Sequence, residues 1–225
     1  MNDRMHIYIN AYSIYVNKYT IFQTKQRVNR IMIYSKNSWK ILEYFLRHIS
    51  VKLNVNQVGR TLGISVGSAH VILLELAKEG IVTSERWGNQ TFYQINLKNR
   101  IAQKLCGILY LSHKNEMIKG SEHLQEIDTA TQKLDGKVEA VVLHGTGLNQ
   151  KTGKVKALII LSHKDEAYRL ADLGGAISKV DAKTMSLDEF REKVRKNDEE
   201  TITILEEGMV VLGEDNLVRA LIRDA

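Results

Sequence analysis

Residues 54–80 read NVNQVGRTLGISVGSAHVILLELAKEG, and their punctuation decides the fold. Asn54 or Asn56 can cap a short helix carrying Val58 and Leu62. Gly63 can end that helix in the left-handed conformation. Ser65 then caps a second helix whose inward face is Ala69, Ile72, Leu73 and Leu76, spaced as a helix requires. Gly80 terminates it. Upstream, SWKILEYFLRHI (38–49) sets Trp39, Leu42, Phe45, Leu46 and Ile49 at helical spacing, with Ser38 as the expected N-cap. Downstream, IVTSERW (81–87) and TFYQINL (91–97) read as strands joined by Gly88-Asn89-Gln90, which predicts a hairpin.

The whole chain bounds what this segment can belong to. It has 225 residues, which suits two small domains or one large one. With 44% hydrophobic and 26% charged residues it can bury a core and should be globular. No apolar run reaches the roughly 20 residues a membrane span needs, and no secretory signal pattern stands at the N-terminus. One cysteine, Cys106, leaves no internal disulfide, and a reducing cytoplasmic setting is expected. Proline is absent, so turns fall to Gly, Asn, Asp and Ser. The net charge of +6 is uneven. Residues 1–100 hold 14 Lys+Arg against 5 Asp+Glu, and residues 101–225 hold 18 against 21. A basic first half points to a polyanionic partner, although surface charge alone would look the same.

Helix, helix, tight turn, helix, hairpin is the order of a winged helix-turn-helix domain. VNQVGRTLGIS (55–65), VGSAHVILLELAKEGIV (66–82) and ERWGNQTFYQI (85–95) carry the resemblance, which covers residues 36–98 and is closest in style to MarR/ArsR-like bacterial and archaeal transcription regulators. The resemblance implies a third helix lying in the major groove of double-stranded DNA. It would face outward with Ser65, Val66, Gly67, Ser68, His70 and Val71. Serine pairs with several base edges, histidine donates or accepts, and valine packs on a thymine methyl. Between Arg60 and Lys78 there is no Arg or Lys, so a bidentate guanine reader is missing and preference would be modest or rest on wing and shape contacts. Phosphate contacts would come from Lys52, Asn56, Gln57 and Arg60, and from Arg86, Asn89 and Gln90 of the wing. Trp87 is expected to pack at the wing base. His70 stands open between a DNA contact and an ordinary surface histidine.

The flanking segments are less explicit. Residues 1–35 form an N-terminal arm that reads equally as a Tyr/Ile-rich β-ribbon or as a poorly ordered extension. NRIAQKLCGILYLSHKNEMIKG (99–120) predicts a linker helix that either pairs two chains into a homodimer or packs on its own domain. REKVRKNDEE (191–200) reads as one mixed-charge, solvated helix.

In the second half, LHGTGLNQKTGKVKALIIL (143–161) offers a glycine-punctuated turn between two strands. It is no P-loop. Five residues separate Gly147 and Gly153 where the cradle needs four, Val155 follows Lys154, and a strand follows where a phosphate cradle needs a helix N-terminus. Residues 121–225 instead resemble the minimal nucleotidyltransferase fold of the polymerase-β type. Leu143, His144, Gly145 and Thr146 match its first motif, with Thr for Ser, and LEEGMVVLGED (205–215) resembles its closing strand. Lys154 and Lys156 stand where that family carries its two metal-binding aspartates. Asp181 stands where a third carboxylate would fall. Two-metal phosphoryl transfer needs clustered carboxylates, so catalysis is expected to be lost, with no catalytic residue, metal or cofactor. Gly145, Thr146, Lys154 and Lys156 are a candidate site for a nucleotide or anion effector; the two lysines could equally be edge-strand solvent contacts.

The expectation is therefore an α+β chain: an N-terminal winged helix-turn-helix, a helical linker, and a C-terminal α/β nucleotidyltransferase-like domain with a small mixed sheet. The expected function is transcription regulation, with a non-catalytic second domain for oligomerisation, partner or effector binding. The alternative is an active nucleotidyltransferase that uses the helix-turn-helix for docking.

Overall fold

The computed structural model describes residues 35–148, 154–163 and 180–222. The N-terminal arm through Tyr34 and residues 149–153, with Lys151 and Gly153, lie outside the described residues, and the chain divides into units at Tyr34/Ser35. The class is α+β, with eight α-helices and two small sheets among the described residues.

The first helix, α1, spans Lys36–Arg47, three residues earlier than a Ser38 cap would allow. Ser35 is the cap instead. Its side chain accepts the Ser38 N–H at 3.1 Å, and the two hydroxyls meet at 2.8 Å, so Ser38 is the capped residue. Ile41, Leu42, Phe45 and Leu46 are buried on one face. A two-residue strand, β1 (Leu53–Asn54), follows; it is too short to leave a pattern in the sequence.

Helices α2 (Val55–Leu62) and α3 (Val66–Lys78) end where their glycines and polar caps dictate. Asn54 and Gln57 form a reciprocal capping box on α2. Gly63 takes φ 62 and stops the helix. The chain then turns through 117° before α3, within the range usual for a helix-turn-helix pair. Gly59 permits this turn, because a Cβ there would lie 2.9 Å from the Ile64 carbonyl. Ser65 caps α3, and Ala69, Ile72, Leu73 and Leu76 are buried.

Strands β2 (Val82–Trp87) and β3 (Gln90–Ile95) form an antiparallel hairpin with β1 added on the far side of β3. The turn is two residues, Gly88-Asn89, with Gln90 already in the ladder opposite Trp87. Gly88 sits at φ 60 and Asn89 at negative φ, as a type II′ turn demands. Trp87 is consequently at the hairpin tip, a correction to its expected place at the base.

Helix α4 (Arg100–Ile118), capped by Asn99, buries Ala102, Leu105, Cys106, Leu109 and Tyr110. It packs on α8 (Glu214–Ala220) and on β7 (Met209–Leu212) of the second sheet. That sheet has the order β6-β5-β4-β7, from β4 (Ala140–His144), β5 (Lys156–Leu161) and β6 (Asp181–Ser186). It is mixed: β4 runs antiparallel to β5 and β7, while β5 and β6 are parallel. One face carries Val141, Leu143, Ala157, Ile159 and Val211 against Leu124 and Ile127 of α5 (Glu122–Thr131). The opposite face is covered by α6 (Leu187–Arg195), α7 (Glu199–Glu207) and α8. Burial on both faces explains the unbroken apolar run 157–161.

REKVRKNDEE is not one solvated helix. Asn197 at φ 52 breaks it, Asp198 caps α7, and Phe190 and Val194 of α6 are buried. The charges hid an apolar pair four residues apart.

Candidate nucleic-acid interface

The outer side of α3 is built by subtraction. Once Ala69, Ile72, Leu73 and Leu76 face the core, positions 67, 71, 74 and 78 fall on the opposite ridge at i, i+4, i+7 and i+11. Gly67, His70, Val71 and Leu74 are exposed there, and Lys78 ends the ridge. Leu74 and Lys78 continue the spacing that starts at Gly67, a signal the sequence contained but that the expected set omitted. Ser65 and Ser68 are partly committed to the helix itself. Ser65 accepts the Ser68 N–H at 3.2 Å and donates its hydroxyl to Ser68 Oγ at 3.0 Å. Val66, at the first turn, is half exposed.

The wing flanks this ridge and is braced by polar contacts to the loop before α2. Lys52 Nζ lies 2.6 Å from Glu85 Oε2 and 4.8 Å from the Trp87 ring centroid. Trp87 in turn stacks on Phe92 with centroids 5.0 Å apart. The Lys52 hydrogen bond, with a second from Trp87, holds the Glu85 carboxyl below its ordinary range. Asn54 Nδ2 donates to Gln90 Oε1 at 2.6 Å, so Gln90 ties the wing to the α2 cap. Gln57 is occupied as the other half of that capping box. Among the expected phosphate ligands, then, Lys52, Gln57 and Gln90 already hold protein partners. Asn56, Arg60 and Asn89 are exposed, and Arg86 uses Nε on the Gly88 carbonyl at 3.2 Å.

Residues 35–100 carry 9 Lys+Arg and 4 Asp+Glu. Two of the cations are paired locally, Arg47 with Glu43 and Lys52 with Glu85. Arg60, Lys78 and Arg86 have no carboxylate partner among the described residues.

The second candidate site gathers at the β4–β5 turn. His144 pairs with Lys156 in the β4/β5 register, and Lys156 with Asp181 in β5/β6. Gly145 sits at φ 97, where a Cβ would lie 2.9 Å from the Lys154 carbonyl, and Gly147 N–H donates to that same oxygen at 3.3 Å. The glycines therefore close a turn on the protein's own backbone. Thr146, Lys154, Lys156 and Asp181 are exposed. His144 is half buried; burial, and then the Lys156 charge, push its imidazole pKa down, against the pull of Glu200 and Asp181. Glu200 is itself held by Lys183 at 3.1 Å, a pair 17 residues apart that no local pattern announces. No group of three His, Cys, Asp or Glu among the described residues could hold a metal ion. Cys106 is a core residue, its thiol pushed up to about 12 by burial.

No single helix among the described residues is long and apolar enough to cross a membrane. No family model, curated protein or solved structure matches the chain.

Proposed function

We propose that residues 36–98 are a winged helix-turn-helix that binds double-stranded DNA, and that the chain is a transcription regulator. The observation that carries the reading is the 117° helix pair with the ridge of α3 left open to solvent beside a two-stranded wing. A helix so presented can enter a major groove, which admits one α-helix. Arg60, Lys78 and Arg86, three of the cations of residues 35–100 that hold no carboxylate among the described residues, lie on the two helices and the wing and supply the phosphate attraction.

The second sheet and its helices then serve oligomerisation, partner or effector binding without catalysis. The half-exposed Ile101 and Leu111 on the outer side of α4 give a homodimer its contact in this reading. Binding of labelled random duplex to the full chain, titrated with salt, is the direct test. Affinity should fall steeply with salt, and Arg60→Ala with Arg86→Ala should weaken binding across all sequences alike. Absence of duplex binding at low salt would remove the proposal. Recovery of bound fragments from a genome then supplies the operator.

A further inference from the structure

We propose that the ridge of α3 reads thymine methyl groups, so that the duplex this chain prefers is rich in A·T pairs. The inference rests on the DNA-binding reading above and adds its base preference. Val66, Val71 and Leu74 are 50%, 56% and 50% exposed, and they are half of the exposed large hydrophobic residues in the described chain. Val71 and Leu74 share the outward ridge of this 13-residue helix, with Val66 beside it at the first turn, and they leave an apolar surface in water, an arrangement that marks a contact surface.

The occupant follows from charge and from what the surface lacks. Residues 35–100 hold 9 Lys+Arg against 4 Asp+Glu, so the segment that presents these apolar residues is cationic on balance, even with the exposed Glu75 one turn beyond Val71, and it complements a polyanion. The ridge holds no guanidinium for guanine and no carboxamide for adenine. Within the major groove, the one apolar feature a base edge presents is the C5-methyl of thymine. Gly67 belongs to the same contact. A Cβ there would meet nothing within 4 Å, so protein packing does not require glycine. Its absence of side chain leaves room for a base edge to approach the backbone.

The test compares binding of the full-length chain to an alternating A·T duplex and to the same duplex with every thymine replaced by uracil. Uracil keeps the O4 acceptor and loses only the methyl. The thymine duplex should bind roughly tenfold tighter, the scale of two or three methyls buried against valine and leucine. Val71→Ser with Leu74→Ser should abolish the difference while circular dichroism and melting stay unchanged; the single Val71→Ala variant, expected to fold, should reduce it. Conversely, 5-methylcytosine should strengthen binding of a G·C duplex. Equal affinity for the thymine and uracil duplexes overturns the inference and leaves DNA binding standing. Failure to bind any duplex overturns both, and assigns the apolar strip to a protein partner.

Discussion

Glycine does opposite work at different positions in this chain. Gly213 sits at φ 73, and a Cβ there would run into the Glu139 carbonyl. Gly67 has open space around it and lies in a helix. Gly213→Ala should therefore cost about 2 kcal/mol or more in urea unfolding, from left-handed strain plus the clash. Gly67→Ala should be neutral or stabilising by up to about 1 kcal/mol, since alanine is the better helix former. A Gly67→Ala chain that melts higher but binds duplex more weakly would place that glycine in the contact surface. Histidine protonation is the other effect at this scale. His144 and His113 both have pKa values below the ordinary imidazole value of about 6.5, burial being the largest cause in each. In the unfolded chain they bind protons more readily than in the folded one, so stability is full above the unfolded pKa. It should fall as pH drops from about 7 through the depressed folded values. His144→Gln should flatten the pH dependence of the urea midpoint in that window; an unchanged slope would show that the imidazole is not the group responsible.

At the scale of elements, local punctuation was the legible part. Asn54, Gly63, Ser65, Gly80 and Asn99 stop or start helices where their side chains and φ values require, and the inward face of α3 follows from spacing alone. What escaped was set by distant partners. Strand β1 exists because Leu53 and Asn54 find Tyr93 and Phe92, some 40 residues away. Trp87 moved to the tip because the turn is two residues long, which Gly88 permits but does not announce. The candidate sites show the same division. Helical spacing gave the outward residues, while the partners of Lys52 and Gln90 lie more than 30 residues away in other elements. The junction of α4, α5 and β7 is likewise non-local. Lys114 Nζ meets Asp128 at 2.7 Å with both side chains largely buried, and also donates to the Val211 carbonyl at 2.9 Å. Gln132 donates to that carbonyl too, at 3.3 Å. These donors satisfy an outer-edge carbonyl of β7 that would otherwise be open to pairing. Asp128→Ala strands the Lys114 charge and should cost about 2–3 kcal/mol in urea unfolding. Lys114→Met with Asp128→Leu should cost less than Asp128→Ala alone, because no unpaired charge is left behind.

For the whole molecule, charge separates the two halves more clearly than any motif does. At the β4–β5 turn Lys154 and Lys156 are exposed, Glu200 is held by Lys183, and Asp181 pairs in register with Lys156. Magnesium-dependent transfer of a labelled nucleotide to any acceptor should therefore be undetectable, and labelling that vanished on Asp181→Asn would revive the enzyme reading. In the first half, DNA affinity should track the cations that are not already neutralised. Each phosphate contact contributes a slope of about −0.9 to the logarithm of binding against the logarithm of salt concentration. With Arg60, Lys78 and Arg86 engaged, the slope should be about −3. Lys52 is the reserve, because its ammonium is bound to Glu85 at 2.6 Å and rests over the Trp87 ring. A phosphate must compete with that carboxylate, whose lowered pKa keeps it ionised through the neutral range. Glu85→Gln removes the competitor and leaves the lysine beside the wing. The variant should bind duplex more tightly, and its salt slope should steepen by about one unit if Lys52 then reaches a phosphate. Tighter binding with an unchanged slope would mean that Glu85 acted only by repelling the backbone; no change in either would place the Lys52–Glu85 pair outside the DNA-facing surface.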